Sequence, residues 1–215
     1  MIAAHQIAFG KAAGGNKLPD GVVQVEYLES AHTAVTLSAF IDTGVNANEM
    51  TGFDMMFTPL SYYSPGYQAY LSTESNTDCV VGRLGNTTGT GTLYFRYDGN
   101  KTIFVDSEAL SFTSPNRVYI DANRRLIVNG VDCGSIPASV LGTFSETMRF
   151  GGIRPNAGRN GSVRLYSIKI YGIGNVKIRD LIPVRKGNIG YMYDHVSGQF
   201  LGNAGTGEFV LGADI

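Results

Sequence analysis

The sequence predicts an all-β fold, a sandwich of two antiparallel sheets, on three observations. Short apolar/polar alternations of period two recur along the chain between turn residues, the signature of half-buried strands. No long window carries the periodicity of a helix. Gly is high at 28 of 215 residues and charged residues are low at 16%, against about a quarter in ordinary domains. Many turns and few charged helix faces produce that balance. A chain of this length can bury one substantial core, so a single domain over residues 18–215 is expected, preceded by a short arm over residues 1–17.

The arm is rich in Ala and Gly, and after Met1 its only large apolar side chains are Ile2, Ile7 and Phe9. It cannot bury enough surface to fold alone, so it is expected to dock, either on its own sandwich or on a neighbouring subunit. It has no basic segment followed by an apolar one, so it does not read as a secretory signal.

Within the domain the strand candidates run Val22–Leu28, Val35–Ile41, Phe53–Thr58, Tyr67–Ser72, Val80–Leu84, Thr92–Tyr97, Thr102–Asp106, Arg117–Asp121, Arg125–Val128 and Met148–Phe150. That spacing suits a sandwich or jelly roll. Ser135–Phe144 has room for a single helical turn. In the last quarter Tyr166, Ile168 and Ile170 alternate with Ser167 and Lys169, and Ile178, Ile182 and Val184 repeat the pattern. Gly190–Asp194 and Glu208–Leu211 are short strands between Gly, Asn and Ser turns.

Two hairpins can be read residue by residue. Asn129-Gly130 is the preferred pair for a two-residue type I′ loop; it sets Val128 opposite Val131 and Leu126 opposite Cys133, making Cys133 a core position and a free thiol. Cys79 is the only other cysteine. A three-residue loop at Asp98-Gly99-Asn100 pairs Leu93 with Val105, Tyr94 with Phe104, Phe95 with Ile103 and Arg96 with Thr102. Leu93, Phe95, Ile103 and Val105 then face the core, leaving Tyr94, Arg96, Thr102 and Phe104 on the other face. Aromatic rings beside a guanidinium suit stacking on sugar rings and bonding their hydroxyls; a loop or another subunit covering that face would equally explain them. Tyr62, Tyr63 and Tyr67 around Pro65-Gly66, and Arg154 and Arg159 in an Asn- and Gly-rich loop, are further contact candidates.

Both ends of the domain carry a resemblance. Leu18-Pro19-Asp20-Gly21, Val25-Glu26-Tyr27-Leu28-Glu29-Ser30 and Phe40-Ile41-Asp42-Thr43-Gly44-Val45 stand at the front. At the back stand Arg179-Asp180, Ile182 to Arg185, Tyr191 to Asp194, Val196 to Gly198 and Gly202 to Phe209. Together they resemble the concanavalin A-like (laminin-G-like) jelly-roll domains of gut bacteria and their phages, over roughly residues 18 to 212. The resemblance implies a jelly-roll sandwich and does not by itself imply an activity.

Catalysis finds little support. Glucanases on this fold set acidic residues at alternating strand positions; the nearest pair here, Asp106 and Glu108, has no third acid. The three His residues are scattered, and no HExxH, GxSxG or phosphate-binding loop is present. Related sandwiches hold calcium with loop carboxylates and carbonyls, and Asp42, Asp180, Asp194 and Asn203 lie in the matching runs. Turn capping suffices for Asp194, and Asp180, sharing the parity of Ile178 and Ile182, is expected to point inward and pair with Arg179 or Arg185. No metal or other cofactor is therefore expected.

A net charge of −1 gives no broad positive field for nucleic acid or an anionic bilayer, and no apolar run approaches the roughly 18 residues of a membrane span. The expected function is a non-enzymatic phage virion protein, a capsid or tail accessory subunit released by host lysis. Its lectin-like face would meet host glycans, its arm would bind other virion proteins, and it would form a homo-oligomer. A bacterial carbohydrate-binding module and a glycoside hydrolase or lyase with an unrecognised site are the alternatives.

Overall fold

The computed structural model describes residues 17–30, 39–60, 67–73, 80–85, 91–98, 101–105, 110–143, 145–151 and 162–215. The strands are β1 Val22–Gln24, β2 Leu28–Ser30, β3 Ile41–Asn46, β4 Gly52–Pro59, β5 Tyr67–Thr73, β6 Val80–Gly85, β7 Gly91–Tyr97, β8 Lys101–Val105, β9 Asn116–Ile120, β10 Arg125–Val128, β11 Val131–Ser135, β12 Thr147–Phe150, β13 Val163–Gly172, β14 Val176–Lys186, β15 Ile189–Asp194, β16 Phe200–Leu201 and β17 Val210–Leu211. Among the described residues they form two antiparallel sheets, of 11 and 6 strands. The larger runs β11-β10-β9-β4-β13-β14-β15-β16, with β1 on β14 and β2 joining β13 to β17; the smaller runs β3-β12-β5-β6-β7-β8.

Packing these sheets face to face follows from the alternation. On β4, Phe53, Met55 and Phe57 are fully buried while Asp54 and Met56 turn outward. Phe53 meets Phe95 of β7 edge-on at 5.5 Å between ring centroids, and Phe57 meets Tyr70 of β5 at 4.9 Å. Each ring crosses from one sheet to the other, so burial drives the association, at about 1.5–3 kcal/mol per large apolar side chain. Aromatic pairing adds about 0.5–1.5 kcal/mol for each contact.

Alternation is not kept throughout. In β13, Val163 and Leu165 are buried at odd positions, then Ile168 and Ile170 at even ones, with Tyr166 also 8% exposed. The pairing with β4 steps from Leu165↔Phe57 to Ser167↔Met56, leaving Tyr166 as the extra residue of a bulge. One inserted residue swaps the inward parity, as a period of two requires.

A second bulge corrects the expected place of Cys133. Asn129 and Gly130 have φ of 50° and 86°, the I′ geometry, and Val128 does face Val131. Leu126, however, faces Gly134, and Ile127 faces Asp132, so Cys133 is the unpaired residue and is only half-buried. Gly134 sits at φ 139°, a backbone conformation that favours glycine.

The expected single strand Val22–Leu28 is divided. β1 pairs with β14, Val22 facing Lys186, whereas β2 pairs with β13, Leu28 facing Leu165; the chain changes neighbour at Glu26. The C-terminal segment covers that step. Glu26 N–H donates to the Ala213 carbonyl at 2.8 Å, Gly212 N–H to the Tyr27 carbonyl at 2.9 Å, and Arg185 grips the Asp214 carboxylate at 2.7 and 2.6 Å. Phe200–Leu201 is a strand too short to show alternation, and Glu208–Leu211 shrinks to Val210–Leu211. Ser135–Phe144 holds no helical turn among its described residues.

The segment's fit is tight at Gly212, where an added Cβ would lie 2.8 Å from the Tyr27 amide nitrogen. Gly212→Ala is expected to cost about 2 kcal/mol, or roughly 4–8 °C in Tm for a domain of this size. Amide exchange should quicken at residues 25–29, and an unchanged melting curve would show that the segment is not needed to hold β1 and β2.

Candidate functional site

The β7–β8 hairpin has the expected register: Leu93 faces Val105, Tyr94 Phe104, Phe95 Ile103 and Arg96 Thr102. Its outer face is not the open aromatic platform the sequence suggests. Tyr94 is only 3% exposed and packs against Ala69. Across β6 it faces Gly82, which in turn faces Ala69 of β5. Small residues on two neighbouring strands leave a trough that a ring fills, and that neighbourhood cannot be read from β7 alone. Arg96 is half-buried; Phe104, on the edge strand, is 61% exposed. Of the two described rings in the predicted sugar-binding set, Tyr94 and Phe104, only Phe104 thus stands open. Tyr67 lies on β5 with its side chain outside the description. Tyr62, Tyr63, Arg154, Arg159, Ile2, Ile7, Phe9, Asp106, Glu108 and Cys79 lie outside the described residues.

The four residues weighed as calcium ligands, Asp42, Asp180, Asp194 and Asn203, are each engaged with neighbouring groups. Asp194 is fully buried. Its Oδ1 accepts from the Asp180 and Val196 amides at 2.9 and 3.0 Å, and its Oδ2 from the Ser197 hydroxyl at 2.7 Å. The Arg179 guanidinium stands 3.6 Å from the same carboxylate and donates to the Thr43 carbonyl at 3.0 Å. A buried carboxylate needs these donors and this cation; Asp194 closes the β15–β16 turn as expected.

Asp180 differs from expectation. Its carboxylate pairs with Lys177 on the outward face of the larger sheet, while Arg179 turns to Asp194 and Arg185 to Asp214. Register shows why: Ile170 faces Arg179 but Tyr171 faces Lys177, so Ile178 is bulged out of the ladder and the parity reverses before Asp180. Asp42 accepts from the Gly44 amide and the Thr147 hydroxyl, both at 3.0 Å. Asn203 accepts from the Phe40 and Gly205 amides at 3.0 and 2.8 Å and donates to the Gly207 carbonyl, tying the Gly-rich loop together. Among the described residues no group of three or more His, Cys, Asp or Glu comes together as a metal site.

The outer face of the larger sheet also carries a polar and aromatic surface not anticipated from sequence. One row crosses β9, β4, β13 and β14 as Tyr119, Asp54, Lys169 and Asp180. Arg117 holds Asp54 through two bonds of 2.9 and 2.8 Å and lies 4.5 Å over the Tyr119 ring; its neighbour Asp54 raises the guanidinium pKa further. Desolvation raises the Tyr171 phenol, with Asp54 adding to the effect. Each residue lies at an outward position of its own strand, but only strand order makes them neighbours. At one end, Arg124 donates to the carbonyls of Thr51, Ile136 and Ala138 beside a cleft of about 230 Å³, and burial lowers its pKa.

The chain matches no protein-family model and no curated protein sequence.

Asp194→Ala should remove about 3 kcal/mol or more, since it strips two amides and the Ser197 hydroxyl of their acceptor and Arg179 of its counter-charge. Asp180→Ala should cost under about 1 kcal/mol, the range of exposed ion pairs. Urea unfolding of both variants checks this, and equal losses would refute the different roles. At Cys133, burial raises the thiol pKa, so the thiolate is scarcer than in a free thiol at about pH 8. Iodoacetamide followed by peptide mapping should label it more slowly than a free thiol, the rate still climbing above the usual thiol pKa; equal rates would count against that shielding.

Proposed function

We propose that the chain is a non-enzymatic accessory component of a bacteriophage virion, in the capsid or the tail, whose concanavalin A-like jelly-roll domain binds glycans of the host surface. One observation carries the reading: the signature residues from Arg179 to Phe209 resemble that domain class, and they fold into the closing β14–β15–β16 unit of a sandwich. Four of their polar side chains are explained by structure: Asp194 and Asn203 bond backbone amides, Arg185 grips Asp214, and Arg179 reaches Asp194. The shared motif thus accounts for a scaffold, and recognition falls to the faces and loops the scaffold displays. Carboxylates engaged in this way are poorly placed to act as a nucleophile and a tuned proton donor. That favours binding over hydrolysis.

The test is binding of the 215-residue protein to an array of bacterial surface polysaccharides, with the supernatant assayed for released sugar. Binding without release is expected. Release of sugar would replace the reading by that of a hydrolase or lyase, and absence of binding to every glycan would leave a purely structural virion part.

A further inference from the structure

We propose that the groove between the β14–β15 turn and the C-terminal loop is a subsite for a single uncharged sugar ring; this rests on the glycan-binding reading above. The groove has a volume of about 320 Å³ and is lined by Asn188, Ile189, Gly190, Gly207, Glu208 and Phe209, together with Asn203. That volume lies at the small end of ligand sites.

Its lining combines what a polyhydroxylated ring requires. Ile189 is 62% exposed and Phe209 is half-buried against the core, so two apolar surfaces meet the C–H face of a sugar. Glu208 and Asn188 are both exposed side chains. A carboxylate accepts strong, charge-assisted bonds from hydroxyls, and an amide both donates and accepts. Gly190 and Gly207 add backbone to the lining.

The walls are held before any ligand arrives. Asn203 ties its own loop through the Gly205 amide and the Gly207 carbonyl, and ties that loop to the residue preceding β3 through the Phe40 amide. Behind Gly190, the Leu28 and Leu211 methyls would stand 2.7 Å from an added Cβ, so the groove's floor is pressed against packed core. A site already in shape loses less ordering entropy on binding.

Charge sets the choice of ligand. Among the described residues the lining holds a single charged group, Glu208, and the nearby cations are engaged elsewhere: Arg185 with Asp214, and Lys186 over the Phe200 ring at 3.4 Å. A lone carboxylate repels an acidic sugar or a phosphate and accepts from neutral hydroxyls. Neutral hexoses are therefore admitted and uronic acids rejected.

The experiment uses the full chain labelled with nitrogen-15, titrated with the methyl glycosides of glucose, galactose, mannose and N-acetylglucosamine, and separately with methyl glucuronide. For at least one neutral glycoside, amide shifts should cluster at Gly190, Gly207 and Phe209, with methyl glucuronide giving none. Glu208→Ala and Asn188→Ala, both exposed changes that leave the core intact, should each weaken binding about tenfold. Shifts confined to another face, unchanged affinity in both variants, or equal binding of glucuronide would overturn the groove assignment while leaving glycan binding standing. If neither the glycosides nor polysaccharides from the array move any amide, both the groove and the glycan-binding reading fall.

Discussion

Everything else in the molecule depends on the two sheets meeting through the aromatic side chains of β4. Phe53 and Phe57 sit four residues apart on the inward face of that strand, and each reaches a ring on the opposite sheet, Phe95 or Tyr70. β4 lies inside the larger sheet, between β9 and β13, so its inward rings anchor the middle of the core. A sheet with one apolar face is stable only when that face is covered. Here the cover is another sheet, and the outward faces are left for polar work.

Around that core the ladders are adjusted by single residues. Tyr166, Ile178 and Cys133 each interrupt a ladder, and two of these interruptions change which chemistry faces outward. The bulge at Ile178 turns Asp180 to the surface and lets Arg179 reach the buried Asp194. An ion pair between Asp180 and Arg179 or Arg185 would have needed the unbroken register. The C-terminal segment then makes good the backbone bonds lost where the chain passes from β14 to β13, so the two ends of the domain are held by one another.

The distribution of polar groups has a functional consequence. Within the signature runs Asp194 and Asn203 satisfy backbone amides, and Asp194 also neutralises the Arg179 guanidinium, groups that low local dielectric makes costly to leave unpaired. On the glycan-binding reading proposed above, recognition falls to groups without such duties: Glu208, Asn188 and Phe209 at the groove, and Phe104 on its edge strand. The hairpin that carries Tyr94 was legible in register but not in exposure, because a strand's alternation says which residues share a face and not what lies across that face. Gly82 and Ala69 decide that Tyr94 is packed down.

By itself the sequence determined the all-β class, the position of most strands, the I′ turn at Asn129-Gly130, the pairing of β7 with β8, and the capping role of Asp194. These are local properties, set by period-two alternation, by the left-handed conformations that Gly and Asn tolerate, and by hydrogen bonds only a few residues long. Tertiary structure alone decided the bulges, the order of strands, the burial of Tyr94, the outward turn of Asp180, and the meeting of Gly190 with Gly207 and Glu208. Each of those depends on how one segment fits against another, which the pattern of neither segment states. A bulge is a mismatch between two strands rather than a feature of either one, and a groove exists only where two distant turns are brought side by side.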